Sequence, residues 1–293
     1  MLVRPLSGRP LQTPLPKGTV DTLMHLYLPG FPARPGGPDL PAGTLPDAAQ
    51  YRQVMTWLGI DRVIITQGNA HQRDNANLIA CLAAMGPVAR GVAAFGSDIS
   101  DSELDAFFAA GIIGARIMDL PGGAVRLSEL EAIDDRCAAR GWMIAVQFDG
   151  THILDHEARL KGLKSRWVFD HHGKFFSGAT PDGPEIAAVK RLIDGGKCWF
   201  KFAGVYESSM NGGPDYADVA AFSRSIAAHA PERIVWGSNW PHNLAKTTED
   251  YPDDADLTDT VLGWLPDEAA RKLALIDNPE ELYGLPPFAS GRD

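Results

Sequence analysis

The chain has 293 residues, 45% of them hydrophobic and 22% charged, with a formal net charge of −10. This is an ordinary globular composition, long enough for one large domain and without a disordered or low-complexity signature. The acidic balance opposes binding to phosphate backbones, which speaks against nucleic acid, and no apolar run approaches the ~18 residues of a membrane span.

The first segment, MLVRPLSGRPLQTPLPKG, carries four prolines and no apolar stretch of signal-peptide length. Residues 1–17 are read as an extended arm over the surface, ahead of a single domain at 18–293, and a cytoplasmic location is expected. The run TVDTLMHLY (19–27) opens the domain as a predicted strand. A Pro/Gly-rich loop follows at 28–46, either a cover for a site or a rigid surface connection. YRQVMTWLG then puts Tyr51, Val54, Met55 and Leu58 on one helical face, with Gly59 where a C′ glycine belongs. The pattern recurs. Strand-like runs are RVIITQG (62–68), ARGVAAF (89–95), GARIMDL (114–120), MIAVQFD (143–149), RWVFDHHG (166–173), CWFKFAG (198–204) and RIVWGSNW (233–240). Between them, SELEAIDDRCAARG places Ser128 and Glu131 at capping-box spacing and aligns Leu130, Ile133 and Cys137. ADVAAFSRSIAAHA aligns Val219, Phe222 and Ile226, and a helical tail ends the chain. Cys81, Cys137 and Cys198 are odd in number and widely spaced, so they read as buried free thiols.

Eight strands alternating with helices, about 30 residues per unit, predict a single parallel (β/α)8 barrel of the TIM type. The rival, a doubly wound open sheet, normally carries a Gly-rich phosphate loop after its first strand. The loop at 28–46 fits no such pattern.

In such barrels the site lies at the C-terminal ends of the strands. Polar groups there are His25 and Tyr27; Gln67, Asn69, His71 and Arg73; Arg116 and Asp119; Gln147 and Asp149; Asp170, His171, His172 and Lys174; Lys201, Tyr206 and Glu207; and Ser238, Asn239 and His242. One such residue is more often a loop hydrogen-bonder than a catalyst, but seven of the eight ends carry them. Asp21 and Asp119 are read as partners of nearby backbone, and Trp240 and Pro241 as packing. His152, His156 and His229 fall in helices and are read as surface residues.

The segments VDTLMHLY, DHHG, GSNWPH and NPEELYG (278–284) resemble the amidohydrolase superfamily, in the branch that contains 2-pyrone-4,6-dicarboxylate lactonase; the likeness covers about residues 18–285. The superfamily pattern implies metal ligands at His-x-His on strand one, at histidines of later strands and at an Asp on strand eight. Here those positions read Leu23, His25, His171 and Asn239. Leu23 has no lone pair and Asn239 no charge, so no catalytic metal and no cofactor are expected, although Asp119 or Glu207 could substitute as a ligand.

The likeness implies interconversion of D-galactaro-1,4-lactone and D-galactaro-1,5-lactone, in which a hydroxyl of the substrate replaces an activated water. His171 is the first candidate for the proton shuttle and His25 the second. Asn239 is a candidate donor to the oxyanion. Arg116 is assigned to the substrate carboxylate, with Lys174, Lys201 and Arg73 as rivals. Gln67, Asn69, Gln147, Tyr206 and His242 are assigned to substrate binding. The alternatives are a lactonase and a non-catalytic sugar-acid binding protein. Oligomeric state is not legible in the sequence.

Overall fold

The computed structural model describes residues 2–289; Met1 and residues 290–293, the extremes of the expected arm and barrel domain, lie outside the described residues. Eight parallel strands pair in chain order: β1 (Val20–Met24), β2 (Arg62–Thr66), β3 (Ala89–Ala93), β4 (Ile112–Asp119), β5 (Met143–Phe148), β6 (Trp167–Phe169), β7 (Cys198–Phe202) and β8 (Ile234–Trp236). Each lies within its predicted run, except that β4 starts earlier, at Ile112. The helices between and after them are α1 (Ala48–Leu58), α2 (Ala76–Met85), α3 (Asp101–Ala109), α4 (Leu130–Ala138), α5 (Ile153–Lys161), α6 (Pro184–Asp194), α7 (Ala217–His229), α8 (Asp254–Leu262), α9 (Glu268–Lys272) and α10 (Asn278–Tyr283). This is a TIM-type (β/α)8 barrel.

Local chemistry explains the helix ends. Asp47 accepts from Gln50 N at 2.9 Å and starts α1, which buries Tyr51, Val54, Met55 and Leu58. Gly59, at φ 86°, closes it. The capping box expected at Ser128 and Glu131 does not form. A 3-10 turn at Leu127–Glu129 precedes α4, and Glu131 instead pairs with Arg159 at 2.6 Å. The same motif is satisfied at Ser100 and Glu103, at the start of α3.

Alternation along the strands sorts the barrel interior into layers. Val20, Ile64, Val92, Ala145, Val168, Trp199 and Val235 form a lower apolar layer, plugged by Leu282 and Tyr283 of α10. Two residues further along the chain from Ala145, Val168 and Trp199 come Gln147, Asp170 and Lys201, all buried. The intervening Val146, Phe169 and Phe200 belong instead to the larger cluster between sheet and helices. The same two-residue step therefore builds both the core and a polar upper layer.

The seam between β8 and β1 is closed by mixed bonds. Leu23 O accepts from Asn239 N at 2.9 Å, Trp240 O from His25 N at 2.8 Å, and Trp236 O from the Thr22 hydroxyl at 2.7 Å. Asp21 accepts from Leu23 N, Ser238 N and Tyr51 OH, which matches its expected part as a backbone partner. Residues 2–17 form no helix or strand. Arg4 donates to Thr44 O and Ala42 O, each at 2.7 Å, and to Pro241 O at 3.5 Å, so it bridges the loops after β1 and β8. The three cysteines are buried free thiols, and burial pushes the Cys81 thiol up to about 12. Among the described residues no helix is long and apolar enough to cross a membrane.

Candidate active site

A cavity of about 560 Å³ opens at the C-terminal ends of the strands. Its wall includes His25 and Tyr27 after β1, Asn69 after β2, Arg116 and Met118 on β4, Gln147 on β5, His171 and Lys174 after β6, Glu207 after β7 and Asn239 after β8. Gly36, Gly37, Pro38 and Asp39 of the long loop also line it, so that loop forms part of the wall.

The segment after β6 takes an unusual path. His171, His172, Gly173 and Lys174 all have positive φ, at 51°, 50°, 77° and 45°. Each non-glycine residue there costs about 1–2 kcal/mol. Bonds from His171 N to Asp170 Oδ1 (2.9 Å), Ser208 Oγ to His171 O (2.7 Å) and Gly150 N to Lys174 O (3.1 Å) hold the turn. The turn sends His171 and Lys174 into the cavity and His172 away from it. His172 is fully buried, stacked on Phe202 and bonded to Ser223 Oγ at 3.0 Å. Burial lowers its pKa to about 3.

His25 is fixed by one bond. Its Nδ1 lies 2.8 Å from Thr66 O, and a carbonyl only accepts, so Nδ1 carries the proton and Nε2 the lone pair. Burial, then the positive charge of Arg116, lowers its pKa to about 3. His25 is therefore neutral at ordinary pH. His171 sits between two carboxylates: Nδ1 is 3.2 Å from Asp170 Oδ1 and Nε2 is 3.9 Å from Glu207 Oε2.

Glu207 is the centre that sequence reasoning underweights, since there it reads only as a spare metal ligand. Its Oε2 accepts from Lys174 Nζ at 2.6 Å and its Oε1 from Asn239 Nδ2 at 2.9 Å. Burial alone would raise its carboxyl, but Lys174, His171 and these hydrogen bonds outweigh burial and hold it at about 2. Asp170 is likewise held well below the usual range; Lys201 and His171 overcome its burial.

Arg116 is buried and donates to Gln67 O at 2.9 Å and Gln147 Oε1 at 3.1 Å. Its Nε has no partner. It forms no ion pair among the described residues, whereas Lys174 pairs with Glu207, Lys201 with Asp170 and Arg73 with Glu129. Within and just beneath the cavity, Arg116, Lys174 and Lys201 face only Asp170 and Glu207, so one positive charge is uncancelled before any histidine is counted. At the rim, Asp39 and Lys246 offset each other. The site thus opposes the sign of the whole chain.

Several assignments need correction. The Gln67 side chain does not line the cavity; its amide donates to Gln72 O and Asp74 O, and only its backbone carbonyl meets Arg116. Lys201 is buried beneath the cavity against Asp170 and Thr22 O. Tyr206 and His242 stand behind Asn239, bonded to each other at 2.7 Å. Both N–H groups of Asn239 are taken, by Tyr206 OH (2.8 Å) and Glu207, so the expected donation to an oxyanion is unavailable in this arrangement. His71 packs on Tyr27, and Arg73 lies outside the wall. His152 and His229 are exposed, but His156 is half-buried, edge-on to Phe148. The backbone and packing roles are invisible in sequence because they depend on which carbonyl or ring comes near.

The donor set does not suit the superfamily's metal. Leu23 is fully buried and offers no lone pair, the Asn239 nitrogen is committed, and the carboxylate it bonds, Glu207, is paired with Lys174. Among the described residues no group of three His, Cys, Asp or Glu side chains converges on one point.

Comparison with known proteins agrees with the fold. The amidohydrolase family pattern matches residues 19–285. The D-galactarolactone isomerase of Agrobacterium fabrum is 63% identical, covering 98% of both chains. The 2-pyrone-4,6-dicarboxylate hydrolase of Comamonas testosteroni is 29% identical, covering 93% of this chain and 92% of its own. A crystal structure of an Agrobacterium tumefaciens protein without ligand superposes with a TM-score of 0.95 at 62% identity, covering 97% of this chain and 100% of its own.

Proposed function

The chain belongs to the amidohydrolase family, and from that premise we propose that it interconverts the 1,4- and 1,5-lactones of D-galactarate by intramolecular acyl transfer, without a catalytic metal. The observation that carries this reading is the uncancelled positive charge at Arg116, in a cavity whose other charged groups offset one another and whose wall includes the amides of Asn69, Gln147, Asn239 and Asn243. A lactone of a dicarboxylic sugar acid keeps one free carboxylate and several hydroxyls. A guanidinium in the cavity wall that no carboxylate pairs with is suited to the first, and Asn69 and Gln147 to the second.

With the carboxylate held, the 5-hydroxyl attacks C1 of the 1,4-lactone. The O5–C1 bond forms, the carbonyl becomes an oxyanion, and the C1–O4 bond then breaks. The proton leaving O5 ends on O4, so nothing is consumed. His171 is the group assigned to carry it, because an imidazolium formed there lies between Asp170 and Glu207. Lys174 uses one N–H on Glu207 and keeps others for the oxyanion. His25 presents a lone pair to a substrate hydroxyl.

Hydrolysis needs a base for water, and the amide of Asn239 is not one. The substrate's own hydroxyl, held close, has a large effective molarity over water.

The test is a proton NMR time course on chelator-treated protein with D-galactaro-1,4-lactone, repeated with added zinc. A second lactone is expected in both tubes. Open-chain galactarate formed only with zinc would replace the isomerase by a lactonase, and no conversion in either tube would leave a binding protein.

A further inference from the structure

Behind Asn239 runs a chain of four polar contacts that the proposed chemistry does not use. Glu207 Oε1 accepts from Asn239 Nδ2 at 2.9 Å. The same nitrogen lies 2.8 Å from Tyr206 OH. That hydroxyl is 2.7 Å from His242 Nδ1, and His242 Nε2 is 3.0 Å from Asp254 Oδ1. His242 and Asp254 are buried, and neither lines the cavity.

The two ends fix every proton between them. Asp254 only accepts, so His242 carries its proton on Nε2 and a lone pair on Nδ1. Tyr206 must then give its proton to His242 and can only accept from Asn239. Asn239 spends its second N–H on the Glu207 carboxylate. Its NH2 group is thus used on both sides, and Oδ1 is the atom left for the cavity that Asn239 lines. An amide that could otherwise turn over is held one way.

Taking the lactone isomerase reading as its basis, we infer that Asp254, His242 and Tyr206 are positioning residues that hold the Asn239 amide with its oxygen toward the cavity, where it accepts a hydrogen bond from a substrate hydroxyl beside the attacking one. This fixes the sugar so that the attacking hydroxyl turns a lone pair to the carbonyl carbon and its single proton to His171. The side chain then acts as an acceptor rather than a donor. The asparagine matters because an amide can be oriented this way, whereas an aspartate offers acceptors on both sides and cannot satisfy Glu207.

The test has a structural and a kinetic arm. In the wild-type protein, 15N NMR of labelled histidine should show His242 as the Nε2–H tautomer; the Nδ1–H form overturns the chain of bonds. Tyr206→Phe keeps the ring and removes both of the hydroxyl's bonds. It should lower kcat for lactone interconversion by ~10-fold or more while KM stays within about twofold, because Arg116 still holds the carboxylate. Should that variant not fold, Asp254→Asn carries the same test: the His242 tautomer becomes mixed and kcat falls, with partial recovery in Asp254→Glu. A folded Tyr206→Phe or Asp254→Asn protein with wild-type kcat overturns the inference. If the wild type converts no lactone while His242 is Nε2–H, the functional reading fails, and with it the role given to Asn239; that pattern is distinct from an active enzyme indifferent to Tyr206.

Discussion

Lys174 Nζ and Glu207 Oε2 lie 2.6 Å apart, and the other oxygen of the same carboxylate takes a hydrogen bond from Asn239 at 2.9 Å. The pair is nearly buried, with side-chain exposures of 7% and 12%. Arg116, by contrast, has no ion pair among the described residues, and this division of labour is open to experiment.

Arg116→Gln should raise KM for the lactone at least ~10-fold, the value of about 1.5–3 kcal/mol for a hydrogen bond to a charged group, and so lower kcat/KM for lactones that carry a free carboxylate. Steady-state kinetics with a lactone that lacks the carboxylate checks it: that substrate should be indifferent to the change. Equal losses for both substrates would place the carboxylate elsewhere.

Asn239→Asp introduces a second carboxylate about where the amide nitrogen stands, 2.9 Å from Glu207 Oε1. Like charges at that distance disfavour joint ionisation. The variant should lose about 1–3 kcal/mol of stability, more at pH 8 than at pH 5, where the two groups can share a proton. Urea melts at the two pH values read this directly, and an equal loss at both would remove the charge argument.

Gly204 has φ 57°, and a Cβ built there would meet Asn239 Nδ2 and His171 Cδ2, each at 2.8 Å. Gly204→Ala therefore pushes on two site residues at once and adds a left-handed cost of about 1–2 kcal/mol. Its kcat should fall more than its thermal stability implies. A drop in melting temperature with unchanged kcat would show that the contact yields elsewhere.

His25 and His172 are both lowered to about 3, chiefly by burial. In the unfolded chain each takes up a proton near pH 6.5. Their contribution is whole above pH 6.5 and is lost as pH falls from there toward 3, since the unfolded state binds protons the native state refuses. Two such groups give a slope of up to about 2.7 kcal/mol per pH unit. Glu207 adds to it from about pH 4.5 downward, where the unfolded carboxylate takes up a proton that the native one, lowered to about 2, refuses. Denaturant melts across pH 4–7 should show the slope, and His172→Phe should remove roughly half of it.

Much of the barrel is legible in the sequence, because two-residue alternation ending in a polar group is a local signal. Trp199 and Lys201 show why the site is only half legible. Both turn inward, two residues apart, yet a position at a strand end does not say that Lys201 stops short of the cavity, at Asp170. Gln67 is singled out for the wrong atom, since its backbone carbonyl carries the contact. Glu207 lies beyond the end of its strand, in a turn whose direction depends on the left-handed Gly204. His242 and Tyr206 have the chemistry of binding residues, and only distance reveals that they face Asn239 from behind.

Arg4 ties the loop at Ala42 and Thr44 to Pro241, across the seam where β1 and β8 meet by mixed side-chain and backbone bonds. Neighbouring strands elsewhere in the barrel share a parallel ladder, so the seam beside Asn239 relies on these few bonds and on the Arg4 strap, whereas the opposite end is plugged by Leu282 and Tyr283. Cutting the strap with Arg4→Ala should therefore loosen the loops that carry the site before it loosens the floor.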